Sequence, residues 1–469
     1  MKNIKIPKIF ILFLLLLIKN QCDDQNNYVI LKFKTKLDLN ELNKNTFIEK
    51  TLEQNIYVDL DIGTPPQKIP MTIKTWQYPT FVFSEDVKNV NIKTKFNQNK
   101  SQTYEATKTI IEKSYKYDCT KGYISKDVFN INSKNIDFKF ILGLDPSTGL
   151  KDISGEIGLS RVNEKEISSD PYSQYSKDNQ FTQQLVDKKL IKDKMFGIVY
   201  DTEYEGRIIF GQYLNEVDKN YNAEEMVQTP NMDHSDTGND NFEKWLMKFD
   251  LKCLSGIDKK DIYNESSFGF FDFEKGLIIG SNNFWVNFAQ PYFDKKGCYG
   301  TPKEGNILIN FNCSKEEQFQ DFPDIVLSYQ GNYVFNLTKN DLFKKVDDVY
   351  IFLIVFENLD LPEPRNYWRI GKPFFKKYAV FLKEQDERSY EMSYFLNKYA
   401  PYKEDDGSVA TQTVVIIVLS CVVAILIAAI VVYFVYFYPK QRKKRAQELN
   451  DDYDYNPKEE PKDKLIDEE

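Results

Sequence analysis

Histidine occurs once in the 469 residues, at His234, and that count restricts the chemistry open to the chain. Catalysis of the Ser-His-Asp or Cys-His kind needs an imidazole to take the nucleophile's proton, so it would rest on His234 alone. Its surroundings, Asn231-Met-Asp-His234-Ser-Asp-Thr-Gly-Asn-Asp240, are polar and read as a solvated loop. One histidine also leaves no His-rich metal site, and no metal or other cofactor is expected. Carboxylates remain as candidate chemistry, with 70 Asp and Glu against 62 Lys and Arg. The resulting net charge of −8 gives no basic footprint, so no nucleic-acid partner is expected. Asp236-Thr237-Gly238 lies in the same polar stretch and lacks a preceding apolar strand to carry its carboxylate into a cleft. Cys298 and Cys313 flank a short Gly-containing stretch that leads into Asn306-Ile-Leu-Ile-Asn-Phe311. A hairpin disulfide is expected there, worth roughly 3 kcal/mol by loop closure. Cys119 and Cys253 have no partner that sequence can assign.

The elements that would position such groups are strands. Short runs of Val, Ile, Phe and Tyr recur between residues 50 and 395, bounded by Gly, Asn, Asp and Pro; Ile56–Ile62, Ile208–Gly211, Asp324–Tyr329 and Tyr378–Leu382 are examples. The 35 Phe and 30 Tyr favour pleated, half-buried surfaces. One short helix is predicted over Phe181–Lys189. About 340 residues of β structure exceed one ordinary hydrophobic core, so two lobes are expected, 51–225 and 226–395.

Two apolar segments predict the compartment. Residues 1–22 carry Lys2, Lys5 and Lys8 before the run Ile9–Ile18, which is too short to span a bilayer and reads as a signal peptide. Residues 414–438 are long enough to span, and Lys440-Gln-Arg-Lys-Lys-Arg445 follows at once, which places the tail 439–469 in the cytosol. The expectation is a single-pass type I membrane protein, its ectodomain lumenal or extracellular. Residues 23–50 would form a short prosegment-like region, 396–413 a stalk, and 439–469 a disordered tail. Four N-x-Ser/Thr sequons, at Asn99, Asn264, Asn312 and Asn336, precede the span and are candidate glycosylation sites.

Tyr57-Val-Asp-Leu-Asp-Ile-Gly63-Thr-Pro-Pro-Gln67 resembles the opening strand and turn of pepsin-like aspartic peptidases. Ser154-Gly-Glu-Ile-Gly-Leu159 is similar to that family's Asp-Gly-Ile-Leu-Gly-Leu segment, and Met195–Tyr200 with Gly206–Gly211 to its hairpin near the lobe boundary. Phe322-Pro-Asp-Ile325 resembles the Leu-Pro-Asp-Ile element. Tyr367-Trp-Arg-Ile-Gly-Lys-Pro-Phe-Phe-Lys-Lys-Tyr378 resembles the closing Trp-Ile-Leu-Gly-Asp-X-Phe-X-Arg-X-Tyr motif. The order of these marks implies an all-β, bilobal pepsin-like fold, here with a C-terminal transmembrane helix.

The same resemblance implies two Asp-Thr-Gly loops whose carboxylates share a proton and activate one water. In this chain the first catalytic position falls on Lys74, in Lys74-Thr75-Trp76-Gln77, with Phe81-Val-Phe-Ser84 fixing the register beyond it. The second falls on Asp272, followed by Phe273 and Glu274 where Thr and Gly are expected. An ammonium facing Asp272 would form an ion pair and abolish proton sharing. Tyr115 falls at the flap tyrosine position, without the glycines of a mobile flap. The expected protein is therefore a non-catalytic homologue that binds an extended peptide or protein in the interlobe cleft. The alternatives are an active endopeptidase using Asp272 with another partner, such as Glu274, and a structural or adhesion protein.

Overall fold

Ile56-Tyr-Val-Asp-Leu-Asp-Ile62 buries every second side chain, with Ile56, Val58, Leu60 and Ile62 all at most 3% exposed. That period of two is the signature of a strand with one face on a core. In the computed structural model it recurs along Leu246–Ser255 and builds two sheets. The structure describes residues 27–399 apart from 36–41, 53–55, 78, 89–91, 93, 113–118, 147–153, 162–178, 234–244, 257, 303–307, 358–366 and 387–388; beyond them it describes 428–430 and 432–451.

The first half of the chain supplies β1 (Val29–Thr35), β2 (Ile56–Ile62), β3 (Gln67–Lys74), β4 (Phe81–Phe83), β5 (Glu105–Glu112), β6 (Cys119–Ile131), β7 (Lys134–Pro146), β8 (Gly155–Gly158), β9 (Met195–Tyr200) and β10 (Glu205–Phe210). Two-residue strands β11 (Val227–Gln228) and β12 (Met232–Asp233) follow. A second sheet of 11 strands takes β13 (Leu246–Ser255), β14 (Lys260–Phe271), β15 (Ile278–Gly280), β16 (Tyr299–Pro302), β17 (Leu308–Cys313), β18 (Asp324–Tyr329), β19 (Tyr333–Leu337), β20 (Phe343–Val346), β21 (Val349–Phe352), β22 (Ile354–Glu357) and β23 (Tyr367–Ile370).

The chain's last two strands, β24 (Tyr378–Glu384) and β25 (Ser389–Leu396), return to the first sheet, where β24 pairs with β9. The segment expected as the second lobe, 226–395, therefore contributes strands to both sheets. Val380 and Leu382 of β24 are buried with Phe196 and Ile198 of β9, so the C-terminal strands share the core of the first sheet. The prosegment-like region also differs from expectation, because β1 lies inside the 14-stranded sheet between β10 and β2, with Val29, Leu31 and Phe33 buried. Residues 27–399 fall within one unit, Met1–Lys403. Its helices include α1 (Phe47–Leu52), α2 (Phe181–Asp187) and α3 (Lys372–Lys377). Helix α2 matches the predicted short helix but ends two residues sooner, where Lys189 turns left-handed at φ 56°. At the β2–β3 turn, Gly63 has φ 87°, and a Cβ there would sit 2.8 Å from Ser101 Oγ.

The second unit, Glu404–Glu469, contains α4 (Tyr438–Asp451). The tail expected to be disordered from 439 is therefore helical to Asp451. Lys, Arg, Gln, Ala, Glu and Leu all favour helix, and Pro439 sits in its first turn, where its missing N–H costs nothing. Among the described residues no helix is long and apolar enough to cross a membrane. Most of 414–438 lies outside the described residues, as do 1–22, Tyr115, His234 and Asp236-Thr237-Gly238.

Candidate active site

β3 runs parallel to β8, with Ile73 opposite Ile157 and Lys74 opposite Gly158, and the chain returns as β4 on the other side of β8. The second sheet repeats the arrangement: β14 runs parallel to β23, with Phe271 opposite Ile370, and returns as β15 on its far side. Apolar residues drive both crossings, since Ile73, Ile157, Phe271 and Ile370 are at most 2% exposed. Each lobe thereby presents one loop at the end of its central strand. Lys74 is the last residue of β3, and Asp272 is the first after β14, so the two predicted positions are structural equivalents.

The loops are tied by Thr75, whose hydroxyl donates to the Phe271 carbonyl at 2.9 Å and accepts from the Phe273 N–H at 3.4 Å. Phe273, where a second threonine is expected, is fully buried against Phe33, Tyr200 and Phe375. One half of a reciprocal tie is therefore replaced by aromatic packing. At the next position of each loop the expected glycines are Trp76 and Glu274. They meet, with the Trp76 indole N–H donating to Glu274 Oε2. Bulk has filled ground that glycines would leave open.

Lys74 is 7% exposed and its ammonium forms an ion pair with Glu274 Oε1. It also lies 3.7 Å from Glu156 Oε1 and 5.4 Å from the centre of the Trp76 ring. Glu156 and Glu274 thus join the expected set of charges around Lys74 and Asp272. Glu156, fully buried, accepts from the Gln77 side-chain amide. Asp272 is 2% exposed. Burial raises the Glu274 pKa to about 7, and the negative charge of Asp272 adds to the rise; the Lys74 ammonium and the Trp76 bond oppose it. For Arg369 burial disfavours the charge, but Asp272, with help from Tyr367, outweighs it and raises the pKa.

Glu156 and Arg369 were missed at the level of sequence. Glu156 pairs with Thr72 in β3, and Arg369 pairs with Phe270 in β14, so they too are equivalent. Both stand where the motifs that their segments resemble carry isoleucine, and that departure was the available signal. Five ionisable groups thus interact, with Lys74, Glu156, Asp272 and Glu274 buried and Arg369 half-buried beside Asp272.

Other predicted positions are scattered. Cys298 and Cys313 form a disulfide, and Cys253 is a free, buried cysteine. Asn99 and Asn264 are exposed and Asn336 is half-buried. Asn312 corrects the glycosylation expectation: it is 6% exposed within β17 and accepts from Asn310 at 3.1 Å, so a glycan there would have to displace the strand. Among the described residues no three His, Cys, Asp or Glu side chains are placed to hold a metal ion.

Two β lobes, each offering a loop at the tip of a crossed strand pair, define the architecture of pepsin-like acid peptidases. The chain belongs to the eukaryotic aspartyl protease family, whose model matches residues 55–389. It is similar to plasmepsin I from two isolates of Plasmodium falciparum, at 28% identity to each over 168 residues, 33% of this chain and 37% of that protein. The chain thus spans little more than a third of the length of those relatives.

Proposed function

We propose that this protein is a membrane-anchored aspartic protease homologue that binds extended peptide at the interlobe cleft without hydrolysing it. The observation that carries the reading is Lys74, buried at the first-lobe catalytic position and paired with Glu274. Peptide hydrolysis in this family needs two carboxylates that share one proton and pass it to and from a water. An ammonium supplies only N–H donors, so it cannot accept the water's proton or hold the shared one. The Trp76–Glu274 contact closes the loops further. Extended-chain recognition relies on main-chain hydrogen bonds and side-chain pockets, which do not depend on the dyad.

Membrane anchoring is supported by the described part of the apolar run. Ile430 and Val432–Tyr438 are 46–71% exposed, a density of exposed apolar residues that suits lipid. The basic cluster from Lys440 favours a cytosolic tail, and a signal peptide at 1–22 completes a type I topology. Exposed Asn99 and Asn264 suit glycosylation on the lumenal side.

A second reading has its own support. Glu274 and Asp272 are neighbouring carboxylates, one with a pKa near 7, and such pairs are how acid and base roles are divided. The full chain in detergent, incubated with unfolded protein from pH 3 to 7, separates the two. The proposal expects no cleavage by the wild type, alongside saturable binding of unfolded peptide. Cleavage that disappears in both Asp272→Ala and Glu274→Gln would replace it with the second reading.

A further inference from the structure

Behind the second loop lies a cavity of about 230 Å3 that the site above does not use. Its walls come from distant parts of the chain: Thr35 ends β1, Phe47 and Thr51 belong to α1, Glu203 sits in the β9–β10 turn, Lys344 is on β20, and Lys372 and Lys376 are on α3. Three ammoniums converge on the Glu203 carboxylate: Lys344 at 3.2 Å, Lys372 at 3.7 Å, and Lys376 in direct hydrogen bond. Asp341 also lines the cavity, but Lys377 holds it at 2.7 Å and it caps Thr338. Among the described residues Glu203 therefore answers three cations alone, an excess of two positive charges.

The excess originates in the sequence. The closing motif that this segment resembles has Asp and Arg four residues apart, opposite charges on one helix face. Here both are lysine, Lys372 and Lys376. Lys372 is 7% exposed and sits 4.9 Å from the centre of the Tyr204 ring, so its charge is confined to the cavity. Burial lowers its pKa to about 8; Glu203 opposes the fall, and crowding by Lys344 and Lys376 deepens it. Thr35 Oγ1, on the same wall, is buried without a hydrogen-bond partner among the described residues.

We propose that this cavity binds the phosphate group of a small ligand, either inorganic phosphate or a short phosphate monoester, through Lys344, Lys372 and Lys376. A phosphate monoester carries about −1.5 to −2 charges near neutral pH, which matches the uncompensated excess. Lysines serve phosphate as point charges and need no planar geometry. The Thr35 hydroxyl supplies a neutral donor. The cavity is smaller than the roughly 300–1,000 Å3 of drug-sized sites, so the organic part is short, and Phe47, Leu277 and Pro373 offer it an apolar wall.

The test uses the full chain in detergent, titrated with inorganic phosphate and separately with glycerol 3-phosphate. Ionic strength is held constant with chloride, and binding is read by calorimetry and thermal unfolding. Saturable binding is expected, weakened about tenfold or more by Lys376→Gln, which removes a charge-assisted bond from a partly exposed position. Glu203→Gln should tighten binding, because it deletes the competing carboxylate, and a misfolded variant would not bind more tightly. Equal affinity for both probes assigns the site to the bare anion, and tighter binding of the ester assigns it to a small monoester. Absence of saturable binding below about 10 mM overturns the proposal. So do affinities unchanged in Lys376→Gln, or weakened in Glu203→Gln.

Discussion

Replacing Lys74 with methionine tests whether the charge cluster is a mutually compensated unit. The substitution keeps a long apolar stem and removes one ammonium. Glu156, fully buried, and Glu274, 7% exposed, then lose the cation they share, beside an Asp272 that is also buried. Breaking a buried pair from one side costs about 3–5 kcal/mol, because the remaining charge stays desolvated. For a body of about 400 residues that corresponds to a drop in Tm of roughly 4–6 °C. Lys74→Met combined with Glu274→Gln should recover about half the loss, since it removes one orphaned anion while Trp76 still finds an acceptor.

The pH dependence separates charge from packing. The folded pKa of Glu274, about 7, lies above its ordinary 4.5, so the folded protein holds that proton more tightly than the unfolded chain. The associated stability is complete below about pH 4.5 and is lost as pH rises through 7. Without the Lys74 ammonium the folded pKa climbs further, and the variant goes on losing stability above pH 7, where the wild type has levelled off. Unfolding of the full chain in urea, at pH 5 and pH 8, reads the difference. A loss below about 1 kcal/mol, or one equal at both pH values, would mean that Lys74 contributes packing alone.

Two further outcomes follow from the same geometry. Thr75→Val leaves the Phe271 carbonyl and the Phe273 N–H without their shared partner, and should cost about 1–3 kcal/mol in urea unfolding while the lobes remain folded; an unchanged midpoint would show that aromatic packing alone joins the loops. Cys298→Ser with Cys313→Ser opens a 15-residue loop and should lower stability by about 3 kcal/mol, read as a Tm difference that vanishes when both proteins are measured in reductant.

The strands and the two-lobe plan were legible because they are written locally. Ile56–Ile62 alternates, and the motif segments keep their order along the chain. The partners of β1 and β24 were not legible. Val380 meets Ile198 across more than 180 residues of chain, and no local period encodes such a pairing. Lys74 and Asp272, singled out by motif register, occupy equivalent strand ends. The contacts of Lys74 with Glu156 and Glu274 were not legible, because they depend on how two loops about 200 residues apart pack in three dimensions. Glu274 was legible as bulk and charge at a glycine position and as a candidate partner of Asp272, whereas Glu156 and Arg369 each stand as one charge inside an otherwise apolar motif.

Those additional charges decide what a single reversion can do. Lys74→Asp restores the carboxylate that the family's first loop carries, yet it would add a fourth buried carboxylate to Glu156, Asp272 and Glu274, leaving Arg369 as the cation beside Asp272. Carboxylates this close cannot all ionise, so protons are taken up and stability falls by more than in Lys74→Met at pH 8. Water access is not restored either, because the Trp76–Glu274 contact still joins the two loops. The expected result is a less stable protein with no peptidase activity from pH 3 to 7. On the proposed reading, peptidase activity should first appear when Trp76→Gly and Glu274→Gly are combined with Lys74→Asp, since that set removes the excess carboxylate and reopens both glycine positions. Turnover by Lys74→Asp alone, with none by the wild type, would show that a single charge and not the whole cluster decides activity.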